Sequence, residues 1–171
     1  MPAHVFVDES KAKGLLVAAA VCLAVDVNAN RRTMAGLLMP RERRIHFTKE
    51  SPARRRKILA VIAGFDLTVR LYQAGKDDAV GRRACLTAVV RDIAASAERL
   101  VVERDETTMT YDRQVLFSAA HQHGCSDTLH YELLAPHADP LLWIPDAVAW
   151  SWVKGGDRRD QVAPYSTLIR V

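Results

Sequence analysis

The sequence predicts a single α/β domain on a mixed sheet, and three observations predict it. Apolar runs of strand length open the chain twice in succession, at 3–8 and 15–25, with only a tight turn between them, which makes an antiparallel pair. From residue 65 onward, strand-like runs alternate with stretches of helical periodicity, the pattern of strands joined through helices. No linker-like or repetitive stretch divides the 171 residues, so one domain is expected over 1–171.

Each element has a local cause. Val5, Phe6 and Val7 fill a sheet interior well, and their run stops on Asp8 and Glu9. Lys11 to Gly14 is the turn. Leu15 to Val25 imitates a signal-peptide core behind Lys11 and Lys13, but secretion would discard the Val-Phe-Val-Asp-Glu-Ser strand. A bilayer span takes about 20 residues, so this run is read as a central buried strand. Asn28 or Asn30 caps a helix to about Leu38, which Pro40 ends. A basic, irregular segment covers 41–50. Ser51 and Pro52 are an N-cap and first-turn proline, opening a helix with a stripe of Ile58, Leu59, Val61 and Ile62 that Gly64 closes.

Phe65 to Ala74 alternates as a strand with one polar face. Helices are expected over 78–97, 111–121 and 140–153, and strands at Leu100–Glu103 and Leu129–Leu133. Trp143 and Trp150, seven apart, share a helix face and read as core, whereas Trp152 points elsewhere. The last stretch, 162–171, is a loop or a terminal strand, pairing within the domain or across a homo-oligomer.

With 49% hydrophobic and 26% charged residues, the composition excludes disordered and membrane-spanning classes. Cys22, Cys85 and Cys125 lack any CxxC spacing and read as reduced, buried thiols of a cytoplasmic protein. Cys125 lies near His121 and His123, but that cluster falls short of a zinc site. Charge is uneven: Arg31 to Lys57 holds ten Lys or Arg against Glu42 and Glu50, a local +8, so the remainder carries −4 of the +4 total.

Chemistry is expected from acids set among hydrophobes. Asp8 ends a buried strand, and Asp146 sits inside Trp143-Ile144-Pro145-Asp146-Ala147-Val148-Ala149-Trp150. Ionised carboxylates in such places are costly unless paired, hydrogen-bonded or bound to metal. Glu103, Asp105 and Glu106 follow another strand, and strand ends in an α/β sheet converge. Carboxylate oxygens suit Mg²⁺ or Mn²⁺, and such ions stabilise both the attacking and leaving oxygens of a phosphodiester. Taken singly, Asp8 also fits a turn, Asp146 a helix cap, Asp105 a solvated loop, and His46 an ordinary hydrogen-bonding residue. Only their concurrence points to a site.

Phe-Val-Asp-Glu-Ser at 6–10, Ile45-His46-Phe47 after a basic stretch, and Ile144–Trp150 together resemble an uncharacterised bacterial family. Its members open on an Asp-Glu-Ser(-Gly) strand, carry a His after the first long excursion, and end on an Ala-Asp-(apolar)₂-Ala-(aromatic) helix. The resemblance runs from about residue 4 to 155. It implies an RNase H-like fold, a mixed β-sheet flanked by helices, and a Mg²⁺- or Mn²⁺-dependent nuclease. It implies Asp8, Asp105 (or Glu103) and Asp146 as metal ligands, with His46 placing a water or touching phosphate. The chain departs from the family at Lys11, where Gly often follows Ser. It departs also at Pro145, in place of Ala, and at Arg44, where an acid often precedes the His. A non-catalytic nucleic-acid- or protein-binding module of the same fold that has lost a full metal site is the second expectation, and a hydrolase of small nucleotides the third.

Arg54, Arg55, Arg56 and Lys57 stand in the first turn of their helix, where cations oppose the helix dipole. A phosphate backbone would relieve that cost. Nucleic-acid contact is therefore expected from Arg43, Arg44, Lys49, Arg54, Arg55, Arg56 and Lys57.

Overall fold

The computed structural model describes residues 1–171. Its elements are β1 (Ala3–Ser10), β2 (Leu15–Leu23), α1 (Val27–Ala35), α2 (Pro52–Ala63), β3 (Leu67–Ala74), α3 (Ala79–Ile93), β4 (Ala97–Glu103), α4 (Met109–Gln122), β5 (His130–Leu134), α5 (Trp143–Lys154), α6 (Gly156–Val162) and β6 (Ser166–Arg170). One sheet takes all six strands in the order β5-β4-β1-β2-β3-β6. The meander β1-β2-β3 is antiparallel, while β4 and β5 run parallel to β1, and β6 parallel to β3. The sheet is mixed and flanked by helices, as expected from the sequence. No helix is long and apolar enough to cross a membrane.

Strand alternation divides the interior into two layers. Phe6, Ala18, Val69 and Val101 meet α1, α2 and α5 on one face, with Trp143 fully buried among them. Val5, Val7, Val17, Leu100 and Val102 meet α3 and α4 on the other. The fully covered β2 explains why its sequence is a continuous apolar run rather than an alternating one.

Local signals held where they are chemical. Ser51 caps α2, its hydroxyl accepting from Arg54 N–H at 3.2 Å, with Pro52 in the first turn. Asp78 caps α3 through Gly81 N–H at 2.8 Å. Gly81 is obligatory, since a Cβ there would lie 2.4 Å from the Lys76 carbonyl oxygen. Gly81→Ala is expected to cost about 1–3 kcal/mol of overpacking, read as a lower urea midpoint at unchanged slope.

Several boundaries differ from expectation. α1 starts at Val27 behind Asp26, which makes no side-chain cap, and it stops at Ala35. Asn28 instead accepts from Arg31, and buried Asn30 donates to Cys22 Sγ at 3.2 Å. α3 ends at Ile93, because the three residues 94–96 turn the chain into β4. β6 pairs inside the molecule, against β3. All three cysteines are free and buried.

Candidate functional site

Alternation and register assemble the acids. Asp8 follows Phe6 by two, so it faces the α5 layer, while Glu9 faces α3 and α4. Val7 pairs with Val102 across the parallel β1/β4 ladder, and the next step sets Asp8 beside Glu103. Glu103 follows Val101 by two and faces the same way. α5 crosses this face and brings Asp146 to the pair.

The three carboxyls lie close together and each is only partly exposed to solvent. Asp8 Oδ1 accepts from Glu9 N–H at 2.7 Å. Burial, above all, pushes its carboxyl well above the ordinary range. A hydrogen bond to Glu103 and the charges of Glu103 and Asp146 push the same way. Asp146 is raised too, by burial first and by Glu103. Phe47 N–H, donating to Oδ2 at 3.1 Å, and the charges of Arg44 and His46 oppose that rise.

Arg44 places a guanidinium nitrogen 3.8 Å from Glu103, and its Nε is buried with no partner. No three His, Cys, Asp or Glu side chains close into a metal cage. The donors are nonetheless all carboxylate oxygens, the chemistry of a hard divalent cation.

Asp105 lies two residues beyond β4, outside this trio. Its Oδ1 accepts from Thr107 N–H and hydroxyl at 2.9 and 2.6 Å, and Oδ2 receives Lys11 at 3.4 Å. Those Thr107 hydrogen bonds, with Lys11, hold its carboxyl below the usual range. His46 lines two neighbouring clefts, one with Lys49 and the other with Asp146 and Trp150.

The basic segment divides in two. Arg54 is internal to the fold: it reaches Glu50 at 3.3 Å, Glu42 at 3.7 Å and the Leu37 carbonyl at 2.7 Å. Arg55 donates to the Phe47 and Thr48 carbonyls and stacks 4.1 Å above the Trp150 ring. It thereby pins the turn whose Phe47 N–H reaches Asp146. The α2 first turn is thus balanced from within, by Glu42, Glu50 and these carbonyls, and needs no anion. Arg43, Lys49, Arg56 and Lys57 are exposed and have no carboxylate within 4 Å. Trp143 is core, whereas Trp150 is only half-buried and lines the site.

One feature escaped the sequence reading. Arg82 is buried and holds Asp112 through two hydrogen bonds of 2.6 and 2.7 Å, and it also bonds Glu9 behind Asp8. A signal was present: Arg82 precedes Cys85, Leu86 and Val89, and Asp112 precedes Val115, Leu116 and Ala119, at helical spacings of three, four and seven. A charge inside an apolar stripe implies a buried partner.

No family model and no curated protein matches the sequence. Among solved structures, the chain is similar to RNase HII in the PCNA:RNase HII complex from Archaeoglobus fulgidus. The TM-score is 0.59 at 15% identity, covering 86% of this chain and 69% of that one. At that identity the likeness speaks for the fold: the protein has an RNase H-like α/β fold.

Proposed function

We propose that the protein hydrolyses phosphodiester bonds of nucleic acid with Mg²⁺ or Mn²⁺ held by Asp8, Glu103 and Asp146. The observation that carries this is the convergence of three part-buried carboxyls, at the ends of β1 and β4 and on α5, with desolvation first and their mutual charge second raising Asp8 and Asp146. Burying like charges costs stability, and a fold gains nothing from it unless a cation offsets them. Such a cation, when bound, supplies a deprotonated water and charge neutralisation at the phosphoryl oxygens.

The protein's own groups do the rest. Glu9 N–H and Phe47 N–H fix one oxygen each of Asp8 and Asp146, leaving the remaining oxygens for the ligand. His46, which shares a cleft with Asp146, would touch a phosphate or orient a water. Arg44 offsets part of the negative charge at Glu103. The mid-chain ligand in this reading is Glu103, because the carboxylate of Asp105 is committed to Thr107 and Lys11.

The test is cleavage of labelled single- and double-stranded DNA and RNA with Mn²⁺, Mg²⁺ or EDTA. Metal-dependent cutting is expected, lowered about 10²–10³-fold in Glu103→Gln and nearly kept in Asp105→Asn. The reverse ranking would move the site to the loop. The Arg44–Glu103 contact favours one second reading, a nucleic-acid-binding module in which Arg44 stands in for the cation. A folded wild type that binds but cuts none of the four substrates would establish it.

A further inference from the structure

Four clefts of between about 350 and 650 Å³ join end to end across the face that carries the acids. The first lies between Arg44, His46 and Lys49. The second shares His46 and reaches Asp146 and Trp150. The third shares Trp150 and is lined by Lys13 and Lys154. The fourth shares Lys154 and is walled by Arg56 and Arg158 over the bare backbone of Gly155 and Gly156, both at positive φ.

Most acids along this path are already neutralised. Glu42 and Glu50 are held by Arg54, and Glu9 by Arg82 and Lys11. Asp157 is the one acid in the fourth cleft, among three cations. By contrast Lys13, Lys49, Arg56 and Lys154 are exposed, with no carboxylate within 4 Å. Neither end cleft has an apolar side chain in its walls, so no hydrophobic anchor for a protein partner is offered.

Unpaired cations at successive points of one path suit a ligand whose negative charge repeats. A mononucleotide at the acids would leave most of them idle. We infer that the four clefts form one track for the sugar–phosphate backbone of a nucleic-acid strand. Lys49 holds it on one side of the acids, and Lys13, Lys154 and Arg56 hold it on the other. This deepens the phosphodiesterase reading, on which it rests for the position of the reacting bond. Lys13, Lys154 and Arg158 lie outside the 31–57 segment, and only the fold brings them into line with it.

The experiment measures binding of labelled DNA and RNA strands of 4 to 16 nucleotides, with EDTA present so that nothing is cut, across 50–300 mM salt. Wild type, Lys13→Gln/Lys154→Gln and Arg56→Gln are compared with Arg83→Gln/Arg113→Gln, an exposed pair on the opposite helical layer. Affinity is expected to rise with strand length in the wild type. The Lys13/Lys154 variant should lose about tenfold on long strands, with a salt slope shallower by about 1.4 to 1.8, as for two lost phosphate contacts. The control pair should change neither. Equal losses in the track and control pairs, or affinity independent of length, overturn the track. Track-dependent binding without cutting in Mn²⁺ would sink the phosphodiesterase reading and leave the track standing. Cutting without track dependence would do the opposite.

Discussion

Asp8→Asn is expected to lower metal-dependent cleavage by about 10²–10³-fold while raising the melting temperature of the metal-free protein. The two effects have one cause. Burial, together with Glu103 and Asp146, raises the Asp8 pKa in the folded state above the unfolded value of about 3.9. Between those two pKa values the native state binds more protons than the unfolded chain, so stability falls as pH rises through that window and stays lower above it. Asn, isosteric and uncharged, removes that penalty and with it an oxygen donor.

Mn²⁺ should act in the opposite sense on the wild type. A ligand at 100 times its Kd stabilises by about 2.7 kcal/mol, or roughly 5–11 °C for a domain of this size. The shift should grow with pH, because the raised Asp8 carboxyl must give up its proton to hold the cation. Differential scanning fluorimetry from pH 5.5 to 8.5, with and without Mn²⁺, reads all of this. Asp8→Asn should melt higher than wild type in EDTA and show no Mn²⁺ response. A variant that melts lower in EDTA and still responds to Mn²⁺ would show that Asp8 is structural.

The acids on β1 and α5 were legible because they break apolar runs, and a carboxylate among hydrophobes is anomalous wherever it falls. The choice between Glu103 and Asp105 was not. It depends on the register of β1 against β4, a pairing between residues about 95 apart, which no local pattern encodes. Two residues of offset separate an acid facing Asp8 from one capping a turn. The basic segment was misread in part for the same reason. Arg54 and Arg55 look like surface charge until Glu42, Glu50 and Trp150 are folded against them. Five of the six strands and the antiparallel opening followed from turn length and residue type alone, while 162–171 stayed open between loop and strand. The pairing of β6 with β3 required the finished sheet.

Arg82→Met is expected to produce the largest loss of stability of any single change, about 3–5 kcal/mol, or roughly 6–20 °C in melting temperature. Asp112 is completely buried, and Arg82 supplies both of its charged hydrogen bonds; only the Thr108 hydroxyl, at 3.0 Å, would remain. An orphaned carboxylate at that depth costs far more than the pair itself contributes, since desolvation of both ions largely cancels their attraction. Two consequences separate this account from simple loss of packing. The deficit should shrink as pH falls, because protonating the orphaned carboxyl removes its charge. Arg82→Met/Asp112→Leu should recover most of the loss, because the unpaired charge is gone and the methylenes fill the space. A double variant no more stable than Arg82→Met would locate the cost in packing instead. Cleavage by that double variant reads the remaining role of the network. Arg82 also grips Glu9, whose N–H donates to Asp8, so a stable double variant with weakened cutting would show that the α3–α4 layer holds the end of β1 in place for its acid.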